Sequence, residues 1–182
     1  YSTAFFSESE RFFHNRMNGV LAQYNGKRNS YVEFVCDWEG MYSTLSREKF
    51  RILLAGRHYL DTFYYGFNYS MFHYAGQQGA PIENVVDLQL LNPCVGVRFN
   101  AFFDFDIKLG ALLTAQRDRS FGHSWEKPCM GEFAFRISRW GLSLDERLYV
   151  GDNIHPFFYG HELEDGTPLP YGRELYPAES FF

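Results

Sequence analysis

The stretch YVEFVCDWEGMY, residues 31–42, decides the fold. Its side chains alternate. Val32, Phe34, Cys36 and Trp38 share one face, and Glu33, Asp37 and Glu39 share the other with Val35 among them. A period of two is that of an extended strand, whose successive side chains point to opposite faces. An apolar face on a strand is ordinary. Three carboxylates on the opposite face must look either at bulk water or into the lumen of a barrel.

The same period runs along most of the chain. It predicts eight strands, over 16–25, 31–42, 49–58, 62–75, 83–100, 105–117, 128–139 and 142–151. Residues 2–13, STAFFSESERFF, fit a short helix, and no helical repeat of comparable length competes. Several strands run past ten residues. Globular strands average about five or six, whereas a tilted membrane-spanning strand needs roughly 9–11.

Each strand divides into faces. Phe50, Ile52 and Leu54 oppose Lys49, Arg51 and Arg57. Phe63, Tyr65, Phe67, Tyr69 and Met71 oppose Tyr64, Gly66, Asn68 and Ser70. Phe105, Ile107, Leu109, Ala111 and Leu113 oppose Asp106, Lys108, Gly110, Thr114 and Gln116, and Phe133, Phe135 and Ile137 oppose Glu132, Arg136 and Ser138. A hairpin of the second and third strands sets Glu39 opposite Arg51 and Glu33 opposite Arg57 when paired numbers sum to 90. A register slip of two keeps both faces intact. Pairing the last two strands sets Arg136 opposite Asp145. Opposite charges thus meet on one face. Water would tolerate such charges unpaired, but a narrow lumen requires partners for them. The expected lumen network is Glu33, Asp37, Glu39, Arg51, Arg57, Glu132, Arg136 and Asp145. The expected lipid-facing set is Phe34, Trp38, Phe50, Ile52, Leu54, Phe63, Tyr65, Phe67, Tyr69, Phe105, Ile107, Leu109, Phe133 and Phe135. An ion-paired lumen at small strand number predicts a plugged barrel, whereas Gly66, Ser70, Gly110 and Thr114 leave room for a water path, and the residues alone leave both open.

Connections after the fourth, sixth and eighth strands are long, and those after the third, fifth and seventh are short. Outer-membrane barrels show this asymmetry, with short periplasmic turns and longer external loops. On that reading 152–182 is a long external loop. The 182 residues form a single barrel domain that is an internal portion of a barrel of about ten strands or more. Two features run against a regular pattern. Glu146 falls among Leu142, Leu144 and Leu148, and at Asn92-Pro93 the apolar parity switches, which predicts a bulge or a turn.

The pieces FVCDWEGMYSTLSREKFRIL, LTAQRDRSFG and RLYVGDN, with the alternating aromatic strands around them, resemble outer-membrane β-barrel proteins of Gram-negative bacteria. The resemblance covers roughly residues 14–152 and is architectural. It implies an antiparallel up-and-down transmembrane β-barrel in the bacterial outer membrane, without catalytic activity. Such a protein acts as a membrane scaffold, an accessory subunit of a larger outer-membrane assembly, or a narrow pore. Its expected partners are the lipid bilayer, lipopolysaccharide and other outer-membrane proteins.

The remaining composition excludes more than it suggests. Net charge is −5, which disfavours a nucleic-acid partner. Aromatics make up 20 %, and Arg outnumbers Lys by 13 to 4. Arg suits crowded ion-pair networks because it holds its charge and binds in a fork. Three cysteines without a C-x-x-C give no disulfide framework and no zinc site. No apolar run approaches about 18 residues, so no transmembrane helix is expected. His14, His58, His73, His123, His155 and His161 are scattered, with no H-E-x-x-H. His155 and His161 with Glu162, Glu164 and Asp165 could gather a cation, but acidic loop tips are usually only solvated. Ser124 beside His123 is adjacency, not a triad, and no G-x-S-x-G occurs. Ser70 and His73 fall on opposite faces. No catalytic residue, metal or cofactor is expected. Two other readings are a soluble antiparallel barrel or sandwich that binds lipid or carbohydrate, and an outer-membrane enzyme acting on lipid.

Overall fold

The computed structural model describes residue 5 and residues 16–46, 48–74, 78–79, 85–119, 124–152 and 154. The strands are β1 (Gly19–Asn25), β2 (Tyr31–Gly40), β3 (Lys49–Leu60), β4 (Phe63–Tyr74), β5 (Val86–Asn100), β6 (Asp104–Asp118), β7 (Cys129–Arg139) and β8 (Leu142–Gly151). They form one eight-stranded sheet in sequence order, each antiparallel to the next. Among the described residues β1 and β8 are not paired with each other, so the sheet has two open edges there. The expected helix over 2–13 lies outside the described residues except for Phe5, and the expected loop 152–182 does so except for Asp152 and Ile154.

All the tight turns lie at one end. β3 and β4 are joined by 61–62, β5 and β6 by 101–103, and β7 and β8 by Trp140 and Gly141. Trp140 and Gly141 both have positive φ, 53° and 81°. A two-residue turn that follows the right-handed twist of its strands demands that pair of conformations. Connections 41–48, 75–85 and 119–128 lie at the opposite end, the asymmetry expected from the sequence.

The β2–β3 register differs from the expected one by two residues. Asp37 faces Arg51, Tyr31 faces Arg57 and Glu33 faces Ala55, with a bulge between Trp38 and Gly40. A difference of two keeps the parity of both faces, and the bulge changes the register by one residue, only beyond Trp38. Arg136 does face Asp145. Asn92-Pro93 is neither a bulge nor a turn. β5 runs through it in one register, with Asn68 opposite Asn92 and Phe67 opposite Pro93. Pro93 has no N–H to give its other neighbour. The Asn92 side chain instead donates to the Ala111 carbonyl at 3.0 Å.

The inner face of the sheet buries polar as well as apolar side chains, and the outer face exposes large apolar ones. The inner face buries Arg51, Asn68, Ser70, Asn92, Lys108, Thr114, Gln116 and Glu132. The outer face exposes Phe63 at 63 %, Leu109 at 57 % and Leu142 at 76 %. The sheet curls around its inner face. Arg57 of β3 and Arg147 of β8 line one cavity, although five strand spacings would separate them by about 24 Å in a flat sheet.

The parity switch in β5 now has a physical reason. Val86, Leu88 and Leu90 point inward and pack with Phe72, Leu112 and Met130. Phe5 and Ile154 join this cluster. Beyond Asn92, Val95, Val97 and Phe99 point outward. The interior is therefore apolar near the long loops and polar toward the tight turns. Replacing Leu88 with Ala opens a cavity in the apolar half and should lower stability by about 2–5 kcal/mol, read as a fall in thermal midpoint. Leu142→Ala on the outer face of β8 should leave the interior packing unchanged.

Candidate functional site

The inner face below the apolar cluster is a polar lattice. Lys108 and Glu132 come from inward positions of β6 and β7, and their ion pair measures 2.7 Å. Glu132 is 2 % exposed and its second oxygen accepts from Asn92 Nδ2 at 2.9 Å. Asn68 Nδ2 donates to Asn92 Oδ1 at 3.3 Å, and Tyr149 OH donates to Glu132 Oε1 at 3.5 Å. A buried carboxylate is tolerated when its lone pairs are met by a cation and further donors. Here β5, β6 and β8 supply them, and Asn68 of β4 holds Asn92 in place. Gly110 opposes Glu132 and makes this possible: a Cβ there would lie 3.0 Å from both Asn92 Nδ2 and Glu132 Oε2. The space expected to carry water past Gly110 thus holds the lattice itself.

Toward the tight turns lies a more open polar cavity of about 180 Å³. Tyr64 OH donates to Asp106 Oδ1 at 2.7 Å, and Arg98 Nη2 donates to Asp106 Oδ2 at 2.9 Å. Arg147 pairs with Asp145 at 3.3 Å within β8. The Arg57 guanidinium sits 4.8 Å from the Tyr64 ring centroid and donates to Tyr59 OH at 3.2 Å. A cation over an aromatic face is stabilised by the ring quadrupole.

Of the residues expected in the lumen, the inner face holds Glu33, Asp37, Arg51, Arg57, Glu132, Arg136 and Asp145. Glu39 and Arg51 pair as expected, and the other partners differ from expectation. Glu33 accepts from Gln23 at 3.2 Å rather than from Arg57. Asp37 accepts from the Asn18 backbone N–H at 2.8 Å. Glu39, at the bulge, lies 3.9 Å from Arg51. Asp145 takes its ion pair from Arg147, not from Arg136 across the strands. The lattice residues Lys108, Asn92 and Asn68 and the aspartate Asp106 were not in the expected network. A lone Lys between Ile107 and Leu109 was the signal for them. The long 119–128 connection hid the β6–β7 register that brings Lys108 near Glu132.

The outer face carries Phe34, Trp38, Phe50, Ile52, Leu54, Phe63, Tyr65, Phe67, Tyr69, Phe105, Ile107, Leu109, Phe133 and Phe135 on the strand positions alternate to these polar groups. Its rims are aromatic and polar. At the long-loop end Trp38, Phe50, His73, Asp87 and Arg117 form a row across five strands. Trp38 stacks on Phe50 at 5.4 Å, and Arg117 lies 4.5 Å from the Trp125 ring. Asp87 accepts from His73 at 3.0 Å and from Arg117 and Arg119 at 2.9 Å each. At the tight-turn end Phe99 stacks on Phe105 at 4.9 Å, and Arg139 sits 4.4 Å over Trp140. Glu146, midway along β8, faces outward beside Phe135.

Ser70 faces inward and His73 outward. Ser124 is described, but His123 is not. The expected cation-gathering group His155, His161, Glu162, Glu164 and Asp165, and also His14, lie outside the described residues. Among the described residues no group of His, Cys, Asp and Glu has a metal-holding arrangement, and Cys36, Cys94 and Cys129 are free thiols. No helix among the described residues is long and apolar enough to cross a membrane. No family model matches the chain, and neither a curated protein nor a solved structure matches it.

Removing one partner of the Lys108–Glu132 pair leaves a buried charge alone. Glu132→Ala should destabilise by about 3–5 kcal/mol, while the double change Lys108→Met with Glu132→Leu should recover most of that loss. Denaturant midpoints of the three proteins check this.

Proposed function

We propose that this chain is an integral β-barrel of a bacterial outer membrane, without catalytic activity. It serves as a membrane scaffold or as an accessory subunit of a larger outer-membrane assembly. The exposed apolar outer face, set against buried charges inside, carries this reading. A sheet that buries Lys108, Glu132, Asn92 and Arg51 while exposing Phe63, Leu109, Phe133 and Leu144 is arranged for a surrounding solvent that is apolar. Soluble monomers rarely expose contiguous apolar patches of more than a few hundred Å². In hydrocarbon the same face costs nothing, and strands satisfy their backbone groups across the ladder.

Other features support it. β3, β5 and β6 are long enough to cross when tilted. The aromatic and polar rows at both rims match the two interfaces of a bilayer, where Trp and Tyr keep one end wet. The open edges of β1 and β8 belong to the same reading. In a membrane they require strand partners, either each other or further strands. The tight turns would be periplasmic and the long loops external. Lipopolysaccharide would then border the rim that carries Arg117 and Arg119. The apolar cluster of Phe5, Phe72, Val86, Leu88, Leu90, Leu112, Met130 and Ile154 favours a sealed interior over a conducting pore.

The test is tryptophan quenching by brominated lipid in reconstituted bilayers, with Trp125 and Trp140 replaced by Phe so that only Trp38 reports. Strong quenching is expected, greater from bromines near the headgroups than from those at the bilayer centre. Absence of quenching, in a protein that stays monodisperse without detergent, would overturn the membrane reading in favour of a soluble lipid- or carbohydrate-binding barrel.

A further inference from the structure

The polar cavity near the tight turns has an unbalanced charge. Its wall carries five cations, Arg57, Arg98, Lys108, Arg136 and Arg147. Three of them are neutralised locally: Arg98 by Asp106, Arg147 by Asp145, and Lys108 by Glu132 just behind the wall. Among the described residues neither Arg57 nor Arg136 has a carboxylate partner. Arg57 is half-buried, held by Tyr59 OH and by the ring of Tyr64. Neither contact supplies negative charge. Two positive charges thus remain in excess around one concave space.

Charge taken out of bulk water without a counter-charge is costly. Focusing inside a cleft with low-dielectric walls raises the local concentration of the opposite ion. Arg is also the side chain whose forked donors match a tetrahedral oxyanion. The cavity, about 180 Å³, has the volume of about six waters. That is room for an oxyanion with part of its water shell, and too little for a large ligand.

We propose that this cavity is a binding site for a phosphate-type dianion, in which Arg57 and Arg136 supply the two matching charges. The Arg98–Asp106–Tyr64 cluster keeps the carboxylate of Asp106 occupied and out of conflict with the anion. The site is built by β3 to β8 alone, so it stands independently of the membrane reading. The ligand is either free inorganic phosphate or a phosphate monoester whose organic part extends out toward the tight turns.

Titration calorimetry of the whole chain with inorganic phosphate, against chloride at matched ionic strength, tests it. Phosphate should bind and chloride should not. Arg57→Gln should weaken phosphate binding about tenfold or more, as loss of a charge-assisted donor does. Should that variant fail to fold, Arg136→Gln, whose side chain is exposed at the mouth, should weaken binding similarly in a folded protein. Arg28→Gln, on the β1–β2 turn, should have no effect. Glycerol phosphate separates the two sources: binding as tight as that of phosphate indicates a monoester ligand, and much weaker binding indicates the free ion. Phosphate binding no tighter than that of chloride, or unchanged by both cavity substitutions, would overturn the proposal.

Discussion

The ion pair of Lys108 with Glu132 is the contact on which the interior is organised. A carboxylate 2 % exposed cannot stay ionised without a cation and full hydrogen bonding. That requirement recruits Asn92 from β5 and Tyr149 from β8, and through Asn92 it reaches Asn68 on β4. It also demands a residue without a side chain at Gly110, since any Cβ there would crowd the Asn92 amide and the carboxylate together. The register of β4 to β8 is thereby tied to one buried charge. A slip of one residue on any of these strands would turn the lattice outward and the aromatic face inward.

Asn92 and Pro93 mark the boundary between the two halves of the interior. On the long-loop side inward positions are apolar and packed, and Phe5 and Ile154 close over them. On the tight-turn side inward positions are polar and surround a cavity rich in arginine. Pro93 removes a backbone donor at this boundary, and Asn92 replaces it with a side-chain amide that also serves Glu132. One residue thus completes both the sheet and the lattice. The two halves imply different roles: the first seals, and the second offers charge.

Much of this was legible from the residues alone. Alternation in YVEFVCDWEGMY and its counterparts determined the number of strands, their order of faces and the outward aromatic set. A period of two leaves few other ways to bury or expose those side chains. The spacing between alternating runs showed where the tight connections lie, while the positive φ of Trp140 and Gly141 is a finding of the structure. Pairing partners were not legible. Glu33, Asp37 and Arg51 could be assigned to a face, yet their contacts depended on a bulge at Trp38–Gly40 that no residue type announces. The switch of apolar parity in β5 read as an irregularity of the strand. It is an irregularity of what the strand encloses, visible only when Phe72, Leu112 and Met130 arrive from three other strands.

The sequence by itself determined an all-β chain with one apolar and one charged face on each strand, because side-chain parity is a local property of extended backbone. Only the tertiary structure decided which charges meet, where the interior turns apolar, and that Arg57 and Arg136 share one cavity with three other cations. Those outcomes depend on long-range register and on the curl of the sheet, which bring together residues up to ninety positions apart.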